Sequence, residues 1–130
     1  GEAARMLECT SAQVQVDRAK SVVDLSRQFG GSWVVLKGFQ TAVGRFRPET
    51  TVNPSGNPGL AQGGSGDVLA GYSAGLLAQP ALQTTPAQTL RYAVWQHGHA
   101  ADLLSRERPN WTVEELTSRL GLHPAASPPG

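Results

Sequence analysis

The chain holds a single cysteine, Cys9, among its 130 residues. One thiol can neither close an internal disulfide nor share a metal with a second thiolate, so a disulfide scaffold and a cysteine-based metal site are excluded and a reducing, cytoplasmic setting is expected. A reactive nucleophile is the sharper reading of Cys9, yet no histidine lies near it in sequence to activate it, and a thiol without a designed role carries more weight. Charge of one sign is scarce as well: eleven basic against ten acidic residues leave a net charge of +1. With no long charged runs there is no electrostatic footprint for nucleic acid or an anionic membrane surface, and neither partner is expected. Apolar stretches fall far short of the about 18 residues that span a bilayer, and no charged start leads into an apolar core, so a soluble protein without an export signal is expected. The sequon Asn110-Trp111-Thr112 has no meaning without export. No internal repeat is present.

What remains alternates helical and extended patterns. Over residues 11–29, Val16, Ala19 and Val23, with Val22, Leu25 and Phe29 beside them, recur at helical spacing, and Gly30-Gly31 supplies a stop, which predicts one amphipathic helix. Trp33-Val34-Val35-Leu36 predicts a short strand covered on both faces. Residues 41–46 and 50–52 read as shorter strands that pair as a hairpin around a turn at Arg47-Pro48-Glu49. Residues 67–79 read as a helix poor in bulky side chains, with Gly71 and Gly75 four apart for close packing on a sheet. A long helix is expected over residues 86–106, with Leu90, Ala93, Val94, His97, Ala101 and Leu104 near one face. A last helix over residues 112–120 has Thr112 and Glu115 in capping-box spacing and a stop at Gly121. Residues 1–122 are expected to be ordered and residues 123–130 to form a disordered tail. The pattern predicts an α/β class, with helices flanking a mostly parallel sheet.

The densest chemistry lies in residues 53–75, NPSGNPGLAQGGSGDVLAGYSAG. Gly63, Gly64, Ser65 and Gly66 leave backbone N–H groups uncovered where a helix would begin, and a helix start carries unpaired donors and the positive end of the macrodipole. Such a place suits an anion. Asp67 stands at that junction; its bland role is a helix cap, and its sharper role is a base taking a proton from a hydroxyl beside a bound phosphate. The loop is neither a Walker A motif, since no Gly-Lys-Ser/Thr follows, nor a Gly-x-Gly-x-x-Gly dinucleotide fingerprint. Asn53 and Asn57 flank two prolines and are expected to shape the loop through side-chain to backbone hydrogen bonds. His97 and His99, two apart, point to different faces of a helix and cannot share a metal; both are expected to be packed or partly exposed histidines. Trp95 and Trp111 are expected to pack helices.

The run Asn-Pro-Ser-Gly-Asn-Pro-Gly-Leu-Ala-Gln-Gly-Gly-Ser-Gly-Asp-Val-Leu-Ala-Gly resembles the signature of the ADP/ATP-dependent NAD(P)H-hydrate dehydratases, a branch of the ribokinase-like superfamily. Leu36-Lys37-Gly38-Phe39-Gln40-Thr41 resembles that family's Leu-Lys-Gly-x-x-Thr segment, although Phe39 and Gln40 fill positions that are commonly small. His97-Gly98-His99-Ala100-Ala101-Asp102 resembles its His-Gly-x-Ala-Gly-Asp helix, and Gly1-Glu2-Ala3-Ala4-Arg5-Met6-Leu7 resembles the segment after its Thr-Pro-His-Pro. The similarity covers nearly the whole chain and only the C-terminal half of the family's catalytic domain, whose first half would precede Gly1.

The resemblance implies a partial ribokinase-like fold and a function in nicotinamide cofactor repair. Phosphorylation of the 6-hydroxyl of (S)-NAD(P)H-hydrate by ADP or ATP, with magnesium, would be followed by loss of phosphate to restore NAD(P)H. Asp67 would be the catalytic base and touch the substrate. Gly64, Ser65 and Gly66, with Gly63, would hold the transferred phosphoryl group, and Lys37, Gly38, Phe39, Gln40 and Thr41 would form a turn around the nucleotide. No residue cluster identifies protein ligands for magnesium. Ligands of open α/β sheets sit outside the carboxyl ends of the strands, where both segments would emerge. A homo-oligomer is expected from strand edges and apolar surface that the first half would otherwise cover, and an NAD(P)H-hydrate epimerase domain fused upstream is compatible with the resemblance. Two rival readings stand beside it: a kinase of the same superfamily acting on a vitamin-precursor alcohol with Asp67 as base, and a catalytically silent nucleotide-binding or oligomer-forming remnant.

Overall fold

The computed structural model describes residues 1–47 and 50–121. Pro48 and Glu49, in the turn expected between two strands, and the tail expected over residues 123–130 lie outside the described residues. The chain forms two compact units, Gly1–Val52 and Asn53–Gly130.

In the first unit, helices α1 (Glu2–Met6), α2 (Ser11–Val16) and α3 (Arg18–Gln28) precede strands β1 (Val34–Leu36), β2 (Ala42–Gly44) and β3 (Thr51–Val52). Thr10 and Gln13 close a reciprocal capping box on α2, each side chain bonding the other residue's backbone N–H at 3.1 and 2.8 Å. The single helix expected over residues 11–29 is broken at Asp17. Its φ of −140° and ψ of 87° are not helical, and its carboxylate accepts from the Lys20 N–H at 2.8 Å, so it ends one helix and caps the next. The break changes which face is buried: Val16 is 87% exposed, while Val14, Val22 and Leu25 go inside. Ala4, Val14, Val22, Leu36 and Ala42 form the core, with Leu7, Cys9 and Val34 against it.

The sheet has the order β1-β2-β3. Val35 pairs with Val43 and Val43 with Thr51, both antiparallel. The mostly parallel arrangement expected from the sequence is therefore corrected for this chain: every strand pairing among the described residues is antiparallel, because the two connections are short and return the chain directly onto its neighbour. Helix α3 covers β1 and β2, giving one helix layer on one sheet layer. The fully buried Ser26 ties the layers together: its hydroxyl donates to the Ser32 carbonyl at 2.8 Å and accepts from the Phe46 N–H at 3.1 Å, so burial leaves it satisfied.

The second unit begins with a loop and a short 3-10 helix (Pro58–Ala61), followed by α4 (Ser65–Leu77), α5 (Pro80–Gln83), α6 (Pro86–Glu107) and α7 (Val113–Arg119). The apolar periodicity of α6 is realised, with Leu90, Ala93, Val94, His97, Ala101 and Leu104 all buried. Ala100, Ala101, Leu104, Trp111 and Leu116 form a core roofed by Leu60 and Leu120. Burying Leu104 and Leu116, at 1% and 0% exposure, contributes about 1.5–3 kcal/mol each. The Trp111 indole donates to the Ser105 hydroxyl at 2.8 Å, so its one polar atom is paired. Thr112 and Glu115 form the expected capping box on α7. Helix α4 lies against α6, but Gly71 and Gly75 have open space where a Cβ would stand. The close sheet packing expected of them is absent in this unit, because α4 turns Ser65, Leu69 and Ser73 inward instead. Among the described residues no helix is long and apolar enough to cross a membrane.

Candidate functional site

The glycine-rich segment is held from one side by α6. Asn53 donates from Nδ2 to the Ser55 carbonyl at 3.0 Å and to the Val94 carbonyl at 3.4 Å, and the Ser55 hydroxyl donates to the Trp95 carbonyl at 2.9 Å. About two helical turns further on, the Asp102 carboxylate accepts from the Gly56 N–H through Oδ2 and from the Asn57 Nδ2 amide through Oδ1, both at 2.9 Å. Asn57 uses its own Oδ1 to accept from the Gly59 N–H at 2.9 Å, which caps the 3-10 turn. Gln62 then donates to the carbonyls of Gly59 and Trp111 at 3.0 and 3.1 Å. These side-chain hydrogen bonds end on α6, on the segment before α7, or within the loop itself.

That framework delivers the chain to the start of α4. Gly64 is the N-cap residue, with φ +90° and ψ −17° and no side-chain cap. Positive φ costs a side chain about 1–2 kcal/mol and glycine little. The backbone N–H of Ser65 bonds the Gln62 carbonyl at 3.3 Å. The helix begins two residues earlier than the sequence pattern suggests, so Asp67 is the third residue of α4 and caps nothing. Its side chain is exposed. Among the described residues it makes no hydrogen bond or ion pair, leaving its carboxylate oxygens available to a hydroxyl. Gly63, Gly64 and Gly66 carry no side chain over the helix start, and nothing lies within 4 Å of where a Gly63 Cβ would be. The start of this thirteen-residue helix carries no side-chain cap, so its first amides are of the kind that can receive an anion.

From behind, His97 touches the same turn: its Nε2 lies 3.0 Å from the Ser65 carbonyl. A carbonyl can only accept, so Nε2 carries the proton and donates. Burial pushes the imidazole below its ordinary value, with the Ser65 carbonyl pulling partly the other way. His99 stacks on Trp95, ring centroids 4.8 Å apart and planes 10° apart. Among the described residues no group of three His, Cys, Asp or Glu side chains could hold a metal.

The other sequence-derived candidates lie in the first unit. Residues 37–41 form a turn at the end of β1, in which the Thr41 hydroxyl donates to the Gly38 carbonyl at 3.1 Å. Gly38 has φ +138° and Gln40 φ +53°. Phe39 is 85% exposed. Lys37 makes a loose ion pair with Glu2, 3.7 Å apart. Sequence reasoning missed Arg18, whose Nη2 donates to the Leu36 carbonyl at 2.9 Å and whose guanidinium faces Gly38. It also missed Asp102 and the link from His97 to Ser65. A polar residue on an otherwise apolar helix face was the available signal for both.

Residues 1–120 match the Carb_kinase family model, described as NAD(P)H-hydrate dehydratase. The chain is 48% identical over 105 residues to the ADP-dependent (S)-NAD(P)H-hydrate dehydratase of Neisseria meningitidis, covering 79% of this chain and 33% of that protein. It is 44% identical over 102 residues to the bifunctional NAD(P)H-hydrate repair enzyme Nnr of Vibrio cholerae, covering 78% of this chain and 20% of that one. The ADP/ATP-dependent NAD(P)H-hydrate dehydratase of Bacillus subtilis, co-crystallized with ATP/Mg2+, superposes with a TM-score of 0.81 at 32% identity, over 92% of this chain and 43% of that one. The chain therefore spans a third or less of these two sequence relatives and under half of the solved structure. The architecture is part of the ribokinase-like α/β fold, and the chain belongs to the NAD(P)H-hydrate dehydratase family.

Proposed function

We propose that this protein takes part in ADP- or ATP-dependent dehydration of (S)-NAD(P)H-hydrate to NAD(P)H, a carbon–oxygen lyase reaction that repairs the nicotinamide cofactor. The observation that carries the reading is the uncapped start of α4, opened by Gly63 and Gly64, with the unbonded carboxylate of Asp67 in its first turn. Asp67 takes the proton from the 6-hydroxyl of the hydrate as that oxygen attacks the terminal phosphoryl group of the nucleotide. The backbone amides of Gly64 and Gly66 face the charge that builds on that group, while the Ser65 N–H, bonded to the Gln62 carbonyl at 3.3 Å, would have to exchange that partner to join them. Phosphate then leaves with the C–O bonding pair, a ring proton is lost, and the double bond returns. Lys37, Gly38, Phe39, Gln40 and Thr41 hold the nucleotide.

The donor set fits a nucleotide whose magnesium ion is carried by its phosphates and water, since the described residues offer no carboxylate cluster. The Neisseria relative is named as ADP-dependent and the Bacillus structure as ADP/ATP-dependent with ATP/Mg2+, which supports either nucleotide. The bifunctional name of the Vibrio relative supports fusion to a second repair activity, read here as an epimerase. The exposed apolar side chains Phe39, Val52 and Val16 support a homo-oligomer. Cys9 as a free thiol supports a cytoplasmic setting.

The test is NADH formation from hydrated NADH with magnesium and ADP or ATP, comparing the chain with Asp67→Ala. Turnover abolished by the substitution is expected. Accumulation of a phosphorylated alcohol without NADH would replace the reading with a kinase, and nucleotide binding without turnover would replace it with a silent nucleotide-binding module.

A further inference from the structure

The loop that leads into the anion site contains no regular element until Pro58, yet it is pinned to one helix. We propose that Asp102 is a positioning residue for this site, acting through Gly56 and Asn57 to set the path of the chain into Gly63, Gly64 and Ser65. The carboxylate touches no atom of the helix start itself. It accepts two hydrogen bonds, from the Gly56 N–H and the Asn57 amide, each at 2.9 Å. The first fixes the backbone where φ is +105°. The second fixes the rotamer of Asn57, whose remaining oxygen caps the 3-10 turn at Gly59. That turn passes its orientation on through Gln62, whose carbonyl receives the Ser65 N–H at 3.3 Å. Asp102 is rigid because it stands on the interior of the 22-residue helix α6, and it is half-buried. It makes no ion pair among the described residues, so its charge is balanced by these two donors alone, and charge-assisted bonds to a fixed carboxylate are the strong kind.

The polarity of the pair makes the test specific. Asp102→Asn presents an NH2 group to one of two donors and breaks one bond while keeping shape. Adding Asn57→Asp restores the pattern reversed: Asn at 102 accepts from Gly56 and donates to Asp at 57, which still accepts from Gly59. The swapped pair keeps net charge and nearly the same volume.

Two readouts are taken on the chain and on the single and swapped variants: amide hydrogen exchange over residues 53–66, and kcat and KM in the dehydration assay. Only the kinetic arm rests on the function proposed above, and absence of turnover in the unsubstituted chain would sink that function while leaving the exchange arm intact. Asp102→Asn is expected to speed loop exchange by about tenfold or more, and to lower kcat by about tenfold while KM for the hydrate stays within about twofold, because a displacement of about 1 Å at a reacting centre can cost about a hundredfold. The swapped variant is expected to recover both values to within about threefold. Native loop exchange in Asp102→Asn overturns the proposal. If Asp102→Asn does not fold, the swapped variant decides: a folded protein with a protected loop supports positioning, and one that fails to fold or leaves the loop unprotected refutes it.

Discussion

Gly98 and Ser55 are in direct backbone-to-loop contact: a Cβ on Gly98 would stand 2.3 Å from the Ser55 hydroxyl oxygen, 2.7 Å from the Ser55 carbonyl carbon and 2.9 Å from the Gly56 nitrogen. Two of those three atoms are main chain and cannot swing away. Gly98→Ala should therefore lift the loop off α6 and destabilise the chain by about 1–3 kcal/mol, the usual cost of overpacking. A urea midpoint unchanged from the unsubstituted chain would show that the loop yields freely. Truncating the hydroxyl with Ser55→Ala should not rescue it, because the backbone contacts remain.

Gly64 makes the complementary case, strain without crowding. The nearest atom to a Cβ there is a Val113 methyl at an ordinary 3.8 Å, but φ is +90°. Gly64→Ala should cost about 1–2 kcal/mol from conformation alone and weaken ADP binding by more than a mutation elsewhere of equal stability cost. Calorimetric titration with ADP and magnesium reads the second effect. Equal affinity in the two proteins would remove this turn from the nucleotide site.

His97 sets a pH dependence. Its imidazole is held below its ordinary value, chiefly by burial, so the unfolded chain takes up the proton first as pH falls. The associated stability is fully present above about pH 6.5, the unperturbed histidine value, and is lost as pH drops through the lowered folded value. Unfolding midpoints measured downward from neutral pH should fall, and His97→Gln, which keeps a donor for the Ser65 carbonyl, should flatten that slope. An unchanged slope in the variant would assign the effect to carboxylates.

Tyr72 on α4 and Tyr92 on α6 are the chain's only two tyrosines. The Tyr72 phenol is pushed up to about 12, first by desolvation and then by the neighbouring Tyr92. Alkaline titration followed at the phenolate absorbance band should show one phenol ionising that late, and Tyr92→Phe should bring it earlier without restoring an ordinary value, since burial remains. The lack of any late-ionising phenol in the unsubstituted chain would contradict the packing of α4 on α6.

Long periodic elements were legible in the sequence for a clear reason. Helix α6 repeats its apolar residues from Leu90 to Leu104, and no local alternative competes with that stripe. The capping box at Thr112 and Glu115 was equally readable, because it needs only residues three apart. The break at Asp17 was not, since the apolar spacing runs through it and the outcome turned on one side chain preferring the Lys20 N–H. The hairpin of β2 and β3 was legible, but the antiparallel pairing of β1 with β2 was not, because a three-residue strand carries no mark of which neighbour it will pair with.

The amino-acid order alone determined that Gly63, Gly64, Ser65, Gly66 and Asp67 form a small-residue approach to a helix, because glycine's freedom and a helix's unpaired amides are local properties. It also carried the family signature. Only the tertiary structure decided that Asp102 would meet Asn57 across 45 residues, that His97 would reach Ser65 across 32, and that Gly98 would lie under Ser55. Those contacts depend on how α6 packs against α4 and against the loop before it, and packing is set by total buried area and fit, not by the spacing of any one segment.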